Sequence, residues 1–309
     1  KKRLSPVISQ YRLFFAALTI GLILTILTTL TYYVYAITPL SCFIITALLT
    51  GIIFLFPKQK VPQQGNQLSK KPKTSFEQVL RLLAWVVPVV LVVQLSLSRS
   101  TGVLISPWHA LPTWFFVLYA FGIFSLLWTG LKKVHAKETT ILTSVYLFLA
   151  YSIASIVYVH GFGFDGFIHR ATQEWIVEHG FILPKTLYYI GQYSFIAFIS
   201  LTTQISSGII DIYLVPVLSS FTLPIFAATV FHKKITPTLH GALFALIVPF
   251  AYFITLNLTT PHNVVLLLFT LSMFALYGVY TKSLPYWLPM LLALVAVLTH
   301  PLLGAPLCI

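Results

Sequence analysis

Asp165 and His169 stand four residues apart in the stretch HGFGFDGFIHRATQEWIVEHGF, residues 160–181. Four residues is about one helical turn, so a carboxylate and an imidazole meet on one face. Such a pair can accept a proton from an attacking hydroxyl or help to hold a divalent cation. Glu174 and Glu178 lie in the same stretch, which gathers three of the chain's six acidic residues. The plainer alternatives are an N-terminal cap or dipole partner for Asp165 and a merely local pairing with His169.

The element that must position this pair is a helix from Asp165 to His179. At 100° per residue Phe164, Ile168, Ala171, Trp175 and His179 share one face. Arg170, Glu174 and Glu178 lie on or near the opposite side, and Gly180 is a natural stop. The pattern predicts a short amphipathic helix lying on the outer membrane surface, with Trp175, Tyr188 and Tyr189 at the interface. Asp165 and His169 then sit at the edge of the apolar stripe. That position suits a substrate whose tail is in lipid and whose head is in water.

The rest of the chain demands a membrane. Of 309 residues, 58% are hydrophobic and 8% are charged, too few charges for a soluble surface. Apolar runs at 11–37, 39–56, 79–98, 111–131, 139–159, 212–231, 238–256, 262–280 and 285–300 predict nine spans of an all-α polytopic membrane protein. Residues 1–56 form an N-terminal hairpin, 57–78 a basic Pro/Gln/Lys-rich linker, 79–138 two further spans and 139–309 a terminal module with an external loop at 160–187. The run 188–208 carries Gln192, Gln204 and several hydroxyls, and either crosses the bilayer or lies in its outer surface. If it does not cross, only Arg99, Arg170 and Lys185 of the 19 basic residues face outward, the arrangement that the positive-inside rule prefers. The N-terminus is then cytoplasmic, and loop 160–187 lies outside the plasma membrane. The net charge of +13 belongs to these short loops and gives no ground for a nucleic-acid partner. Cys42 and Cys308 provide no disulfide framework and no metal-ligand spacing. A chain that opens on Lys and closes on the apolar THPLLGAPLCI is expected to be a piece of a longer protein.

A span followed by a loop with an Asp and a helix ending WIVEHG resembles the GT-C membrane glycosyltransferases, among them oligosaccharyltransferase catalytic subunits and protein O-mannosyltransferases. GIIDIYLVPVLSSFTLPIFAATVFHKK and then GALFALIVPFAYFITLNLTTPHN are similar to the two spans that follow that loop in oligosaccharyltransferases. The resemblance covers about residues 139–280. It implies a GT-C-like transmembrane bundle. It also implies sugar transfer, with inversion, from a polyprenyl-phosphate-linked donor to an acceptor glycan, lipid or protein on the extracytoplasmic face. Asp165 would be the general base or a metal-holding carboxylate. The leaving phosphate needs cationic stabilisation, for which Arg170 and Lys185 are candidates, with His262, His300 and the remoter Arg99. The chain departs from the metal-dependent pattern in its second external loop, LNLTTPHN, which has no acid. Asp165, His169 and His262 are the residues left to hold Mg or Mn, and a metal-free Asp165 base with no cofactor is the preferred expectation.

Other residues have two readings each. His300, before Pro301, is a functional candidate near a membrane span or an interfacial residue at a kinked helix end. Asp211, before the run 212–231, is expected to cap that helix rather than to face a cavity. His109 reads as an interfacial loop residue, and Asn257 fits the N-glycosylation pattern but lies too close to the membrane for it. Two other function classes remain open: a transporter or flippase of lipid-linked saccharides, which would bury charges within spans, and a non-catalytic scaffold of the same fold.

Overall fold

The computed structural model describes residues 11–55, 75–131, 136–231 and 240–308. Most of the linker expected at 57–78 falls outside the described residues, as do the lysines at 132–133 and 233–234. The helices in chain order are α1 (Arg12–Val34), α2 (Pro39–Leu55), α3 (Ser75–Leu97), α4 (Thr113–Leu131), α5 (Ala136–Val157), α6 (Gly166–His179), α7 (Ile190–Thr203) and α8 (Ser207–Val230). A 3-10 stretch, Gly241–Ile247, leads into α9 (Val248–Leu256), followed by α10 (Pro261–Tyr280), α11 (Trp287–Thr299) and the single turn α12 (Pro301–Gly304). No strand occurs among the described residues, where Ser100 and Tyr158 form an isolated bridge.

Helices α1, α3, α4, α5, α8 and α10 are long and apolar enough to cross a membrane. The chain is an all-α, multi-pass membrane protein. Nine runs are expected from hydropathy, and three of them yield shorter apolar helices: α2, the 241–256 segment and α11. Proline marks the start of one and the end of another. Pro249 opens α9 after the 3-10 stretch, and Pro301 ends the path of α11 at His300. Helix α7 has 14 residues; at about 1.5 Å per residue it falls short of the roughly 30 Å of hydrocarbon.

The chain forms two compact units that are not sequential blocks. The first comprises residues 1–63, 164–214 and 259–309, the second 64–163 and 215–258. The expected 139–309 module therefore contributes to both. In the first unit α1 packs on α7, where the Ser194 hydroxyl meets Thr28 at 3.2 Å and Thr29 at 3.4 Å. Hydroxyls join helices in lipid because water offers no competing partner there. Tyr32, Ile176, Ile190, Tyr193 and Phe198 fill the core beside that seam. In the second unit α5 is the most enclosed candidate span, 78% buried over its apolar window. A Cβ at Gly122 would collide with the Tyr146 ring. The close approach lets Tyr119 donate to the Tyr146 carbonyl (3.0 Å) and Tyr146 to the Ala84 carbonyl (3.2 Å).

Candidate functional site

Helix α6 carries the predicted pair, and its ends are fixed by local chemistry. Gly180 adopts φ 83°, closed to most side chains, and its N–H returns to the Ile176 carbonyl at 2.8 Å. Its own carbonyl accepts from the Ile37 N–H at 2.9 Å, which ties the end of α6 to the α1–α2 turn. Asp165 occupies the N-cap position but makes no side-chain cap hydrogen bond, and it is exposed. The capping alternative for its carboxylate is therefore not used.

The polar side of α6, not its apolar stripe, departs from the helical-wheel expectation. Gln173 and Ile176 are buried, and the Arg170 side chain is only 13% exposed. Phe164, Ile168 and Trp175, on the expected apolar stripe, are exposed. In water an apolar stripe turns inward. In a membrane protein an exposed apolar stripe can meet lipid, and the polar side can dock where it finds partners. Glu174 and Glu178 remain exposed.

The partner of the docked side is Asp211, which is 2% exposed. Its Oδ1 accepts from Gln173 Nε2 (2.8 Å) and Gln192 Nε2 (3.2 Å), and its Oδ2 lies 4.0 Å from Arg170 Nε. The expected cap role is corrected. Helix α8 starts at Ser207, a turn before the apolar run, and so takes Asp211 into its body. Gln173 went unnoticed in the sequence. Its signal was an amide three residues after Arg170, on the same face.

His169 is half-buried and its Nδ1 lies 2.5 Å from the Tyr193 hydroxyl. Burial lowers its pKa from the ordinary histidine value, and Asp165 nearby opposes that shift. Its ring meets Tyr189 at 5.4 Å between centroids, and Tyr189 meets His300 at 5.2 Å. His300 in turn lies 6.4 Å from His262, the second residue of α10. Tyr189 holds this row together from the left-handed region, φ 68°, where a bulky residue is strained. Tyr189 thus links His169 to His300, and His300 in turn meets His262. The sequence offered Tyr189 only as an interfacial aromatic.

His169 and Tyr189 open on a cavity of about 510 Å³ within the first unit. Tyr32, Tyr188 and Tyr193 add aromatic surface, and isoleucines with Leu302 make the rest mainly apolar. Pockets of this kind hold an apolar body and orient it with a few polar groups.

The two basic candidates are occupied elsewhere. Lys185 Nζ donates to the carbonyls of Tyr32 (2.8 Å), Tyr33 (3.1 Å) and Tyr35 (2.9 Å). An ammonium has three protons, so closing the C-terminus of α1 uses all of them. Arg170 donates Nε to the Gly166 carbonyl at 3.1 Å and stacks on Phe167 at 4.7 Å. Neither residue lines the cavity. Among the described residues no three His, Cys, Asp or Glu side chains gather closely enough to hold a metal, and Asp165, His169 and His262 form no such group. Asn257 is wholly buried, which closes it to glycosylation in this fold.

No family model, no curated protein and no solved structure matches this chain.

Proposed function

We propose that the protein is an inverting GT-C-type glycosyltransferase with an extracytoplasmic site, acting on a polyprenyl-phosphate-linked sugar. The observation that carries the reading is the cavity of about 510 Å³ lined by His169, one turn from the exposed Asp165. An aromatic and apolar cavity with few polar groups suits a sugar attached to a lipid. The acceptor oxygen attacks the anomeric carbon and forms the new glycosidic bond. The carbon–phosphate oxygen bond breaks, and its electrons leave on the lipid phosphate. Asp165 takes the acceptor's proton. Tyr193 engages one ring nitrogen of His169 and leaves the other to hold the attacking hydroxyl. With Lys185 and Arg170 engaged elsewhere, the phosphate is assigned to His300 and its neighbour His262, which adjoin Tyr189 and His300 respectively rather than line the cavity. Burial and His262 lower the His300 pKa, so His300 serves as a hydrogen-bond donor, not a cation. In this reading the N-terminus is cytoplasmic, loop 160–187 is external in the plasma membrane, and the acceptor is a glycan, lipid or protein.

The test is transfer by purified protein in proteoliposomes loaded with a radiolabelled polyprenyl-phosphate sugar and candidate acceptors. Asp165→Asn should lower transfer by about 10²–10⁴-fold, the usual contribution of a general base, with insertion and folding unchanged. Transfer at the parent rate by that variant removes Asp165 from the chemistry.

A second reading, transport of a lipid-linked saccharide, has two observations in its favour. Asp211 is a buried acid on a helix long enough to span, and the 241–256 segment is a broken apolar helix. Movement of the labelled lipid between leaflets without any new glycosidic bond is its expected signature.

A further inference from the structure

Among the described residues, five enclosed polar atoms of the second unit have no hydrogen-bond partner: Trp108 Nε1, Tyr151 Oη, Ser152 Oγ and both amide atoms of Asn257. Tyr151, Ser152 and Asn257 are wholly buried. Ring and backbone contacts place Trp108, Tyr151 and Asn257 in one region, and Ser152 is the residue after Tyr151 on α5. Phe253 meets Tyr151 at 6.4 Å and Trp108 at 6.1 Å between centroids. One turn on from Phe253, the Asn257 carbonyl accepts from Ser155 at 3.4 Å, and Ser155 follows Tyr151 by one turn of α5. Buried polar groups are almost always paired, and leaving one unpaired is costly.

A second observation falls at the same place. The segment facing α5 is not a continuous helix. It runs as 3-10 over Gly241–Ile247 and as α over Val248–Leu256, and Tyr252 inside it is non-helical at φ −133°, ψ 27°. Irregular backbone in a membrane protein is tolerated where it is enclosed by protein or lines a polar cavity. Broken membrane helices are a recurrent mark of ligand sites.

We propose that Trp108, Tyr151, Ser152 and Asn257 form a binding site for an uncharged group that carries both hydrogen-bond donors and acceptors, as glycoside hydroxyls do. The donor and acceptor inventory sets the class. Trp108 can only donate, Tyr151 and Ser152 do either, and Asn257 offers both from one amide. None of the four is charged, so a phosphate or carboxylate would find no counter-ion among them. The Trp108, Tyr151 and Phe253 rings supply the apolar faces on which a sugar ring packs. Trp108 is the half-buried member and sits on the turn Pro107–Ala110, with its ring against Phe162 at 5.6 Å.

The test uses the full chain in lipid nanodiscs, an alkyl glucoside below its micelle concentration and the alcohol of the same chain length. The glucoside should raise Tm with saturation and change Trp fluorescence, and the alcohol should do neither. Asn257→Leu should weaken the apparent glucoside affinity at least tenfold, and Trp108→Phe should remove most of the fluorescence change. If Asn257→Leu does not fold, Tyr151→Phe replaces it, with the same loss expected from an almost isosteric change. The proposal is overturned if glucoside and alcohol act alike. It is equally overturned if Asn257→Leu raises Tm while the parent shows no glucoside response, because water alone then satisfies these groups.

Discussion

His169 shows how one side chain's environment sets its chemistry. Burial lowers its pKa below the ordinary value near 6.5, with Asp165 opposing. The folded value thus lies below the unfolded one, so His169's contribution to stability is complete above the unfolded value and is lost as pH falls through the folded value. Asp165→Asn removes the opposing charge and should move the titration further down. A ¹⁵N-histidine NMR titration, with His169→Gln to assign the signal, should show that downward step. An unchanged or upward step would mean that the two side chains do not interact. Lys185 gives a second contrast at this scale. Lys185→Met should cost about 0.5–1.5 kcal/mol, the net contribution of a hydrogen bond whose part-buried or exposed carbonyls can turn to water, and leave the KM for the lipid-linked donor unchanged. A large rise in donor KM at normal stability would return Lys185 to the phosphate. The basic residue was visible in the sequence. Its partners, three carbonyls about 150 residues away, were not, because nothing local encodes where a loop folds back.

Helix α6 shows what periodicity can and cannot say about an element. Its extent and its stop at Gly180 were legible, since the stop depends on a residue that tolerates positive φ. Which side docks was not. A helical wheel separates polar from apolar faces, but the membrane changes what each face seeks. Asp211 decides the matter, and the sequence pointed elsewhere because its apolar run began at 212, after the first turn of α8. The account predicts unequal costs for two substitutions. Asp211→Leu leaves the amides of Gln173 and Gln192 without their acceptor and should destabilise by about 1–3 kcal/mol. Asp211→Asn retains an acceptor oxygen and should cost less. Urea or thermal unfolding in detergent compares them, and equal losses would mean that charge, not hydrogen bonding, docks α6.

At the scale of the whole molecule, hydropathy gave the class of protein and most of the helices. Three of its nine runs yield apolar helices of fewer than 18 residues among the described residues, and Pro249 interrupts one of them. It was silent on the grouping of helices into units, because residues 164–214 and 259–309 join the N-terminal hairpin across long stretches of chain. The proposed orientation rests on the charge asymmetry of the loops and can be tested on a Cys308→Ser background. A cysteine at Glu178, which is exposed, should react with an impermeant thiol reagent on intact cells. One at Lys282 should react only after permeabilisation. The reverse pattern would put loop 160–187 in the cytoplasm.

The most direct measurement is sugar transfer from a radiolabelled polyprenyl-phosphate donor in proteoliposomes. It would compare the parent with Asp165→Asn and His169→Gln at matched, folded abundance. The account predicts a new glycosidic product with the parent, its loss by about 10²–10⁴-fold with Asp165→Asn and a clear reduction with His169→Gln. No product with the parent and any tested acceptor, together with movement of intact labelled lipid between leaflets, would contradict it.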